Sequence, residues 1–199
     1  MLRANPTYDV DLLERAYDKA EEVHEGQYRK SGEEYIIHPI EVARILADLG
    51  MDEETIAAGL LHDTVEDTPY TLEDVKNDFG EEVAVLVDGV TKLNLLVFDS
   101  KETQQAENLR KMFLAMSKDI RVLIIKLADR LHNLRTINYM NEDKIREKCR
   151  ETLEIYSPLA ARLGMYNVRM ELEDIALKNL EPDVYHKLVE DVNGARRTA

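Results

Sequence analysis

The amino-acid sequence predicts an all-α protein, and three observations support this prediction. Apolar residues recur at three- and four-residue steps along almost the whole chain, as they do on amphipathic helices. No run of alternating β-branched and aromatic residues is long enough for a central strand. Residues 120–125 could form a strand by themselves, but polar helix formers flank them and favour a buried helix.

Start and stop signals place the helices of the first half of the chain. Pro39 stands at a first turn, Asp52 and Thr71 are predicted N-caps, and Gly50 and Gly80 end helices. The predicted helices cover residues 12–26, 39–49, 52–63 with an end before Pro69, 71–79 and 81–93. Residues 27–37 are predicted to be a loop.

The second half of the chain is also predicted to be helical, over about 105–117, 119–136, 142–163, 166–180 and 183–192. Residues 94–105 are polar and unpatterned, so they are predicted to form a mobile loop. Pro158 is expected to break or kink its helix. No internal repeat or Gly/Ser-rich linker divides the sequence, and residues 1–199 are therefore predicted to form one domain.

The composition excludes several classes of function. The chain has 26 Lys and Arg against 40 Asp and Glu, a net charge of −14, which argues against broad electrostatic binding of nucleic acid or an anionic membrane. A small basic pocket for a phosphorylated ligand stays possible. No apolar run approaches the ~20 residues of a membrane span. A single cysteine, Cys149, and no secretion signal predict a cytoplasmic protein.

The side chains most suited to a metal ion are His38, the adjacent pair His62 and Asp63, and Asp129. A carboxylate at the end of an apolar helix needs a partner or a metal. Two imidazoles with two carboxylates suit a divalent ion, and this mixed set favours octahedral Mn²⁺ or Fe²⁺ over a closed zinc site. The alternative is that His38 caps a helix and the aspartates make surface ion pairs.

Glu66 and Asp67 follow Asp63 by three and four residues. On a continuing helix they would lie one turn beyond it on the same side. Such carboxylates could position a water molecule, take its proton, or hold a second divalent ion. The alternative is an acidic helix end in a protein already rich in acidic residues.

Two further groups are candidates for binding a ligand. Asn133 and Thr136 follow Asp129 by four and seven residues, so one helical stripe carries all three. They could hydrogen-bond a sugar or base, or form a network between helices. The compact cationic loop Arg29-Lys30-Ser31 offers a planar fork and a point charge to a phosphate, although any surface loop can carry such residues.

Together these segments resemble the HD phosphohydrolases, and more closely the hydrolase domain of the RelA/SpoT family of bacterial alarmone enzymes. The matching strings are HEGQYRKSG at 24–32, HP at 38–39, LLHDTVED at 60–67, KLADRLHNLRT at 126–136, YSPLAARLG at 156–164 and ELED at 171–174. The resemblance covers nearly the whole chain and implies an HD-type helical bundle.

The resemblance also implies a role for each candidate residue. The family's Mn²⁺ ligands match His38, His62, Asp63 and Asp129, and the acidic pair beside the attacked phosphate matches Glu66 and Asp67. The loop that holds the guanosine nucleotide matches Arg29, Lys30 and Ser31, and the pocket lining matches Asn133 and Thr136. The implied reaction removes the 3′-pyrophosphate from guanosine 3′,5′-bis(diphosphate), or its pentaphosphate relative, and yields GDP or GTP and pyrophosphate.

Long members of this family continue into synthetase and regulatory domains. This chain is then either a piece of such an enzyme or a stand-alone hydrolase. The likeness at residues 159–174 to the connection with the synthetase domain favours a piece, in which residues 155–199 lead toward that domain. The expected partners are therefore the nucleotide and those downstream domains, with no nucleic acid and no membrane. Two rival functions remain: hydrolysis of another phosphorylated nucleotide by an HD phosphohydrolase, and alarmone binding by a non-catalytic regulatory module.

Overall fold

The computed structural model describes residues 8–98 and 118–198, with side chains for residues 8–94 and 118–194. Within these ranges the chain is helical except for turns and one isolated antiparallel bridge, which confirms the all-α prediction. The helices are α1 (Val10–Val23), α2 (Ile37–Asp48), α3 (Glu53–Leu61), α4 (Thr64–Asp67), α5 (Leu72–Phe79), α6 (Glu81–Phe98), α7 (Ile120–Arg135), α8 (Glu142–Glu151), α9 (Ser157–Arg162), α10 (Tyr166–Leu180) and α11 (Pro182–Thr198). The predicted helix at 105–117 lies outside the described residues.

The chain divides into two compact units, one ending at His132 and the other beginning at Asn133. The first unit contains α1 to α6 and most of α7, and the second contains α8 to α11. A single domain over residues 1–199 stays a prediction.

Helix α3 lies at the centre of the first unit and packs against α1, α2 and α6. Every residue from Thr55 to Leu61 is buried. Gly59 permits the close approach of α2, because a Cβ atom at this position would lie 2.5 Å from Cδ1 of Leu46. The tight packing fixes the C-terminal end of α3, where His62 follows.

Helix α7 is the buried helix that the sequence predicts over residues 119–136. Leu123, Ile125 and Leu127 are fully buried, and Val122 packs against Gly89 of α6. A Cβ atom on Gly89 would lie 2.6 Å from Val122 Cγ2, so the two helices are in direct contact here. This contact sets the position of α7, which also carries Asp129.

In the second unit, the chain runs from α8 into α9 through a π-helical turn, Thr152–Tyr156. The turn ends where Pro158 enters the first turn of α9, and the Ser157 amide bonds back to the Thr152 carbonyl. The predicted break at Pro158 is therefore an inserted π turn, which lies directly before the residue without an N–H. Tyr156, Cys149 and Leu172 form the buried centre of this unit.

Three predicted boundaries are wrong. Helix α11 runs to Thr198, whereas the sequence predicts an end near residue 192, because Gly194 lies within the helix and does not end it. Helix α6 continues to Phe98, so residues 94–98 of the predicted loop are helical; the sequence there is apolar and has no helix breaker. Helix α3 does not continue through His62 and Asp63, because two side chains donate hydrogen bonds to the carbonyl oxygens of its last turn. His62 Nδ1 bonds the Gly59 carbonyl and Thr64 Oγ1 bonds the Leu61 carbonyl, each at 2.7 Å. A turn separates α3 from the short α4.

None of the helices in the described part of the chain has both the length and the apolar character of a membrane span.

Candidate metal centre

Three separate segments of the first unit bring the four predicted metal ligands together. His38 lies in the first turn of α2, His62 and Asp63 form the turn after α3, and Asp129 lies on α7. His38 Nε2 is 3.0 Å from Asp129 Oδ1 and 3.7 Å from Asp63 Oδ2. His62 Nε2 is 3.1 Å from Asp63 Oδ2 and 3.8 Å from Asp129 Oδ1. All four residues are buried, so the surface ion pairs considered above are not what the aspartates form.

His62 presents an unshared nitrogen lone pair to this cluster. Its Nδ1–H donates to the Gly59 carbonyl, which leaves Nε2 as the unprotonated nitrogen of the neutral ring. Nε2 is buried and makes no hydrogen bond, although Asp63 Oδ2 lies 3.1 Å away. A histidine with one nitrogen on a backbone carbonyl and the other free is the usual form of a metal ligand. The donor set therefore fits a metal ion.

His38 is oriented in the same way by His132. Its Nδ1 lies 2.7 Å from His132 Nδ1, which also receives a hydrogen bond from the Arg29 guanidinium at 3.2 Å. Since arginine only donates, His132 Nδ1 is the acceptor and His38 Nδ1 carries the proton. The Nε2 lone pair of His38 then faces Asp129 Oδ1, an arrangement that a cation between the two atoms stabilises.

The charges of the cluster complement one another. Burial alone raises the pKa of Asp63, but the neighbouring imidazoles of His62 and His38 outweigh burial and hold this pKa at about 2. Burial likewise opposes ionisation of Asp129, yet the Lys126 ammonium, 2.5 Å from Oδ2, brings its pKa well below the usual range. The Oδ2 atom of Asp129 thus accepts a hydrogen bond from Lys126, and its Oδ1 atom faces the two histidines. Two ionised carboxylates facing two imidazoles make a site that favours a positive ion.

Glu66 and Asp67 lie on α4, beyond the turn that carries His62 and Asp63. Both side chains are exposed, and Glu66 Oε1 accepts a hydrogen bond from Asn94 Nδ2 at 2.9 Å. Burial and the charge of Asp63 raise the pKa of Asp67, and partial burial raises that of Glu66 against the Asn94 hydrogen bond. Carboxylates with raised pKa values beside a metal centre are suited to accepting a proton.

The Arg29-Lys30-Ser31 segment is the tip of a short antiparallel turn. The Arg29 amide and carbonyl bond Glu33 and Gly32, and the turn closes at the Tyr28–Glu34 bridge. Gly32 has a φ of +86°, a conformation that favours glycine. Arg29 reaches the metal centre through His132, whereas Lys30 is exposed and the Ser31 hydroxyl donates to Glu33. Of the three, Arg29 thus has a described hydrogen bond to His132, the residue that in turn contacts His38 of the cluster.

Asn133 and Thr136 belong to the second unit, at the C-terminal end of α7 and just after it. Both are half-buried, and the Thr136 hydroxyl lies 3.4 Å from the Asn133 carbonyl. Asn133 follows Asp129 by one helical turn. Their part in ligand binding stays a prediction.

Sequence reasoning missed Tyr35, Lys126 and Asn94. Tyr35 donates to Asp63, Lys126 holds Asp129, and Asn94 holds Glu66. The only sequence signal is for Lys126, which precedes Asp129 by three residues on one helix face. Tyr35 and Asn94 reach their partners across 28 residues of chain, where local spacing gives no indication.

A cavity of about 440 Å³ lies between α1, α2 and α3. Its lining is largely apolar, including Leu13, Tyr17, Ile40 and Leu60, and contains none of the predicted site residues.

The fold and this centre together define a class of all-helical proteins in which a histidine, an adjacent His-Asp pair and a distant aspartate form a buried cluster suited to a metal. The chain belongs to the HD domain family, whose pattern matches residues 16–166. The family and the His38, His62 and Asp129 cluster both indicate a divalent metal.

Several curated proteins are similar to this chain. It is 59% identical over 183 residues to a GTP pyrophosphokinase of Streptomyces coelicolor, covering 92% of this chain and 21% of that protein. It is 52% identical over 191 residues to the bifunctional (p)ppGpp synthase/hydrolase SpoT of Escherichia coli, covering 96% of this chain and 27% of that protein. The chain thus spans about a quarter of these relatives.

A solved structure, described as a metazoan ortholog of SpoT that hydrolyses ppGpp, superposes with a TM-score of 0.63 at 28% identity. The match covers 85% of this chain and 96% of that one. The resemblance to the RelA/SpoT enzymes that the motifs indicate is confirmed by these relatives.

Proposed function

We propose that this chain is a manganese-dependent hydrolase of the 3′-pyrophosphate of guanosine 3′,5′-bis(diphosphate) or its pentaphosphate relative. The products are GDP or GTP and pyrophosphate, so the chain degrades the alarmone of the stringent response. The observation that carries this proposal is the buried cluster of His38, His62, Asp63 and Asp129, with the unbonded Nε2 atom of His62 inside it. The relatives' names supply the substrate.

The four ligands would hold Mn²⁺ through the two imidazole Nε2 atoms and the two facing carboxylate oxygens. This mixture of nitrogen and oxygen donors suits Mn²⁺. When bound, the ion supplies Lewis-acid polarisation of a phosphoryl oxygen and lowers the pKa of water. A second divalent ion beside Glu66 and Asp67 is part of the same proposal.

Glu66 and Asp67 are the proposed proton acceptors. The attacking water forms a bond to the phosphorus attached to the 3′ oxygen, and the bond between that phosphorus and the 3′ oxygen breaks. The proton released by the water passes to a carboxylate. One proton is then returned, directly or through solvent, to the 3′ oxygen, which leaves as a hydroxyl. The raised pKa values of both groups support this role, because they make the carboxylates better bases than ordinary ones.

Two groups of residues would hold the nucleotide. Arg29 and Lys30, with the Ser31 hydroxyl, are proposed to hold its phosphates and base, and the location of Arg29 next to His132 supports this. Asn133 and Thr136 are proposed to hydrogen-bond the nucleoside. Cations of this kind allow a protein with a net charge of −14 to accept a polyanion locally.

The chain is proposed to be the hydrolase part of a longer cytoplasmic enzyme with a downstream synthetase domain. Its similarity to about a quarter of each long relative supports this. Synthesis of the alarmone is not assigned to these residues.

The test is pyrophosphate release from guanosine 3′,5′-bis(diphosphate), first with Mn²⁺ and then with a chelator. Release that requires Mn²⁺ supports the proposal. Tight binding without release would favour a regulatory module instead. Faster release from a different nucleotide in a matched panel would favour the other HD phosphohydrolases.

A further inference from the structure

Tyr35 contacts two carboxylates, those of Asp63 and Asp67, which have different roles in the proposed reaction. Its hydroxyl donates a hydrogen bond to Asp63 Oδ2 at 2.6 Å and lies 3.4 Å from Asp67 Oδ2. Asp63 belongs to the metal cluster, and Asp67 belongs to the pair on α4. One hydroxyl therefore lies between a ligand carboxylate and a candidate proton acceptor.

The ring of Tyr35 is held in place by two histidines. It packs against the His24 ring, with centroids 4.7 Å apart, and meets the His38 ring edge-on at 6.1 Å. The Tyr35 amide also donates to the Gln27 carbonyl at 2.9 Å. These contacts hold the ring so that its hydroxyl lies beside the two carboxylates.

Gln27 ties the same loop to the backbone of α4. Its Oε1 atom lies 2.9 Å from His24 Nδ1, and its Nε2 atom donates to the Asp67 carbonyl at 3.3 Å. Asp67 is therefore contacted at its carbonyl by Gln27 and at its carboxylate by Tyr35. Without these contacts, repulsion from Asp63 would turn the exposed Asp67 side chain toward solvent.

We propose that Tyr35 is a positioning residue that orients the Asp63 carboxylate for the metal and holds Asp67 beside it. The second half of this role rests on the proposed function, whereas the first half concerns metal binding alone. A tyrosine suits both tasks because its hydroxyl donates to a carboxylate without adding a charge. Groups that hydrogen-bond a ligating carboxylate commonly affect metal affinity.

The first experiment compares Tyr35→Phe with Tyr28→Phe by calorimetric titration of Mn²⁺. Phenylalanine keeps the ring that packs on His24 and His38 and removes only the hydroxyl. Tyr28, in the same loop, is 65% exposed and serves as the matched control. We expect Tyr35→Phe to weaken Mn²⁺ binding by about 10- to 100-fold, and the control to bind like the wild type.

The second experiment measures pyrophosphate release at saturating Mn²⁺. Tyr35→Phe is expected to lower kcat and leave KM within about twofold, since Tyr35 contacts no proposed nucleotide group. In an Asp67→Asn background, the same change is expected to have a smaller effect, because the carboxylate through which it acts is gone. Equal losses in both backgrounds would overturn the part of the inference that concerns Asp67.

Gln27→Ala provides a variant that leaves the ring and hydroxyl of Tyr35 intact. The variant removes the hydrogen bond to the Asp67 carbonyl and keeps the hydrogen bond from Tyr35 to Asp63. It is therefore expected to lower kcat without weakening Mn²⁺ binding. Equal weakening of Mn²⁺ binding by Gln27→Ala and Tyr35→Phe would indicate general loosening of the loop and overturn the inference.

The two proposals fail separately. A wild-type protein that binds Mn²⁺ but releases no pyrophosphate contradicts the proposed function, and the Mn²⁺ titration then decides on Tyr35 alone. Unchanged Mn²⁺ affinity in Tyr35→Phe, or no Mn²⁺ binding by the wild type, overturns the assignment of Tyr35.

Discussion

The Nδ1 atom of His62 lies 2.7 Å from the carbonyl oxygen of Gly59, three residues earlier on the chain. This hydrogen bond ends α3, chooses the tautomer of the ring and directs Nε2 toward the carboxylates of Asp63 and Asp129. Gly59 is also the residue at which α2 approaches α3. The helix packing and the chemistry of the metal centre therefore depend on the same short segment.

Removing the Asp129 carboxylate should abolish metal binding. Asp129→Ala takes away one facing oxygen and leaves Lys126 beside the two histidines, so a cation is repelled where it was attracted. We expect Mn²⁺ affinity to fall more than about 100-fold and turnover to disappear with it. Asp174→Ala, an exposed aspartate on α10, is the control for titration calorimetry. Retained Mn²⁺-dependent turnover in Asp129→Ala would contradict the ligand assignment.

Glu66→Gln should separate metal binding from catalysis. The amide keeps the size of the side chain but cannot take a proton, so kcat should fall by about 10²- to 10⁴-fold. Mn²⁺ affinity at the cluster of His38, His62, Asp63 and Asp129 should stay near the wild-type value, because the described hydrogen bond of the Glu66 side chain is to Asn94 and not to one of these ligands. Glu73→Gln, exposed on α5, is the matched control. A wild-type kcat in Glu66→Gln would exclude Glu66 as the base.

The dependence of kcat on pH should respond to Asn94. Burial raises the pKa of Glu66, and the hydrogen bond from Asn94 opposes that rise. A base acts when it is ionised, so activity is lost as pH falls through its pKa. Asn94→Ala removes the opposing hydrogen bond and should move the acid limb of the pH profile to higher pH. The profile is measured at saturating Mn²⁺, and a shift to lower pH would be the contrary result.

Arg121 should stabilise the first unit most strongly at neutral pH. Its guanidinium bonds Asp119, Asp52 and Glu82 at 2.7 to 3.0 Å. The hydrogen bond from Arg121 lowers the pKa of Asp119 below 3.8, so this stabilisation is present above that value and is lost as pH falls through the folded-state pKa.

Arg121→Met should therefore lower the free energy of unfolding by about 2 kcal/mol at pH 7 and by clearly less near pH 3. Urea unfolding at the two pH values measures the difference. An equal loss at both would mean that packing of the side chain, and not its charge, is what the variant removes.

Gly89→Ala should loosen the contact between α6 and α7. The new Cβ would lie 2.6 Å from Val122 Cγ2 and 3.2 Å from its Cγ1, and a β-branched side chain cannot easily move away. We expect the free energy of unfolding to fall by about 1–3 kcal/mol. Gly194→Ala in α11, where a Cβ meets nothing within 4 Å, is the control and should be neutral or stabilising. Similar results for both glycines would argue against a packing origin.

Local sequence signals predict most of the helices, and the four candidate ligands lie together as expected, while their binding of a metal stays a prediction. The caps Asp52 and Thr71 and the ends near Gly50 and Gly80 are found where the spacing places them. The convergence of His38, His62, Asp63 and Asp129 was predicted on residue type and family resemblance.

The contacts that orient these ligands were not predicted, because they are made between distant segments. Tyr35 and Asn94 act across 28 residues, and no periodicity connects them with Asp63 or Glu66. The end of α3 was misplaced for a related reason. Helix propensity does not register that the His62 ring and the Thr64 hydroxyl compete for carbonyls of the last turn.

The His132 Nδ1 atom accepts hydrogen bonds from both His38 and Arg29. A phosphate that draws the Arg29 guanidinium to itself would leave this acceptor to His38 alone and strengthen the bond that orients a metal ligand. Thermodynamic linkage then requires the effect to be mutual. If the nucleotide raises the affinity for the ion by some factor, the ion raises the affinity for the nucleotide by the same factor. A shared imidazole nitrogen would then couple the binding of the two proposed ligands.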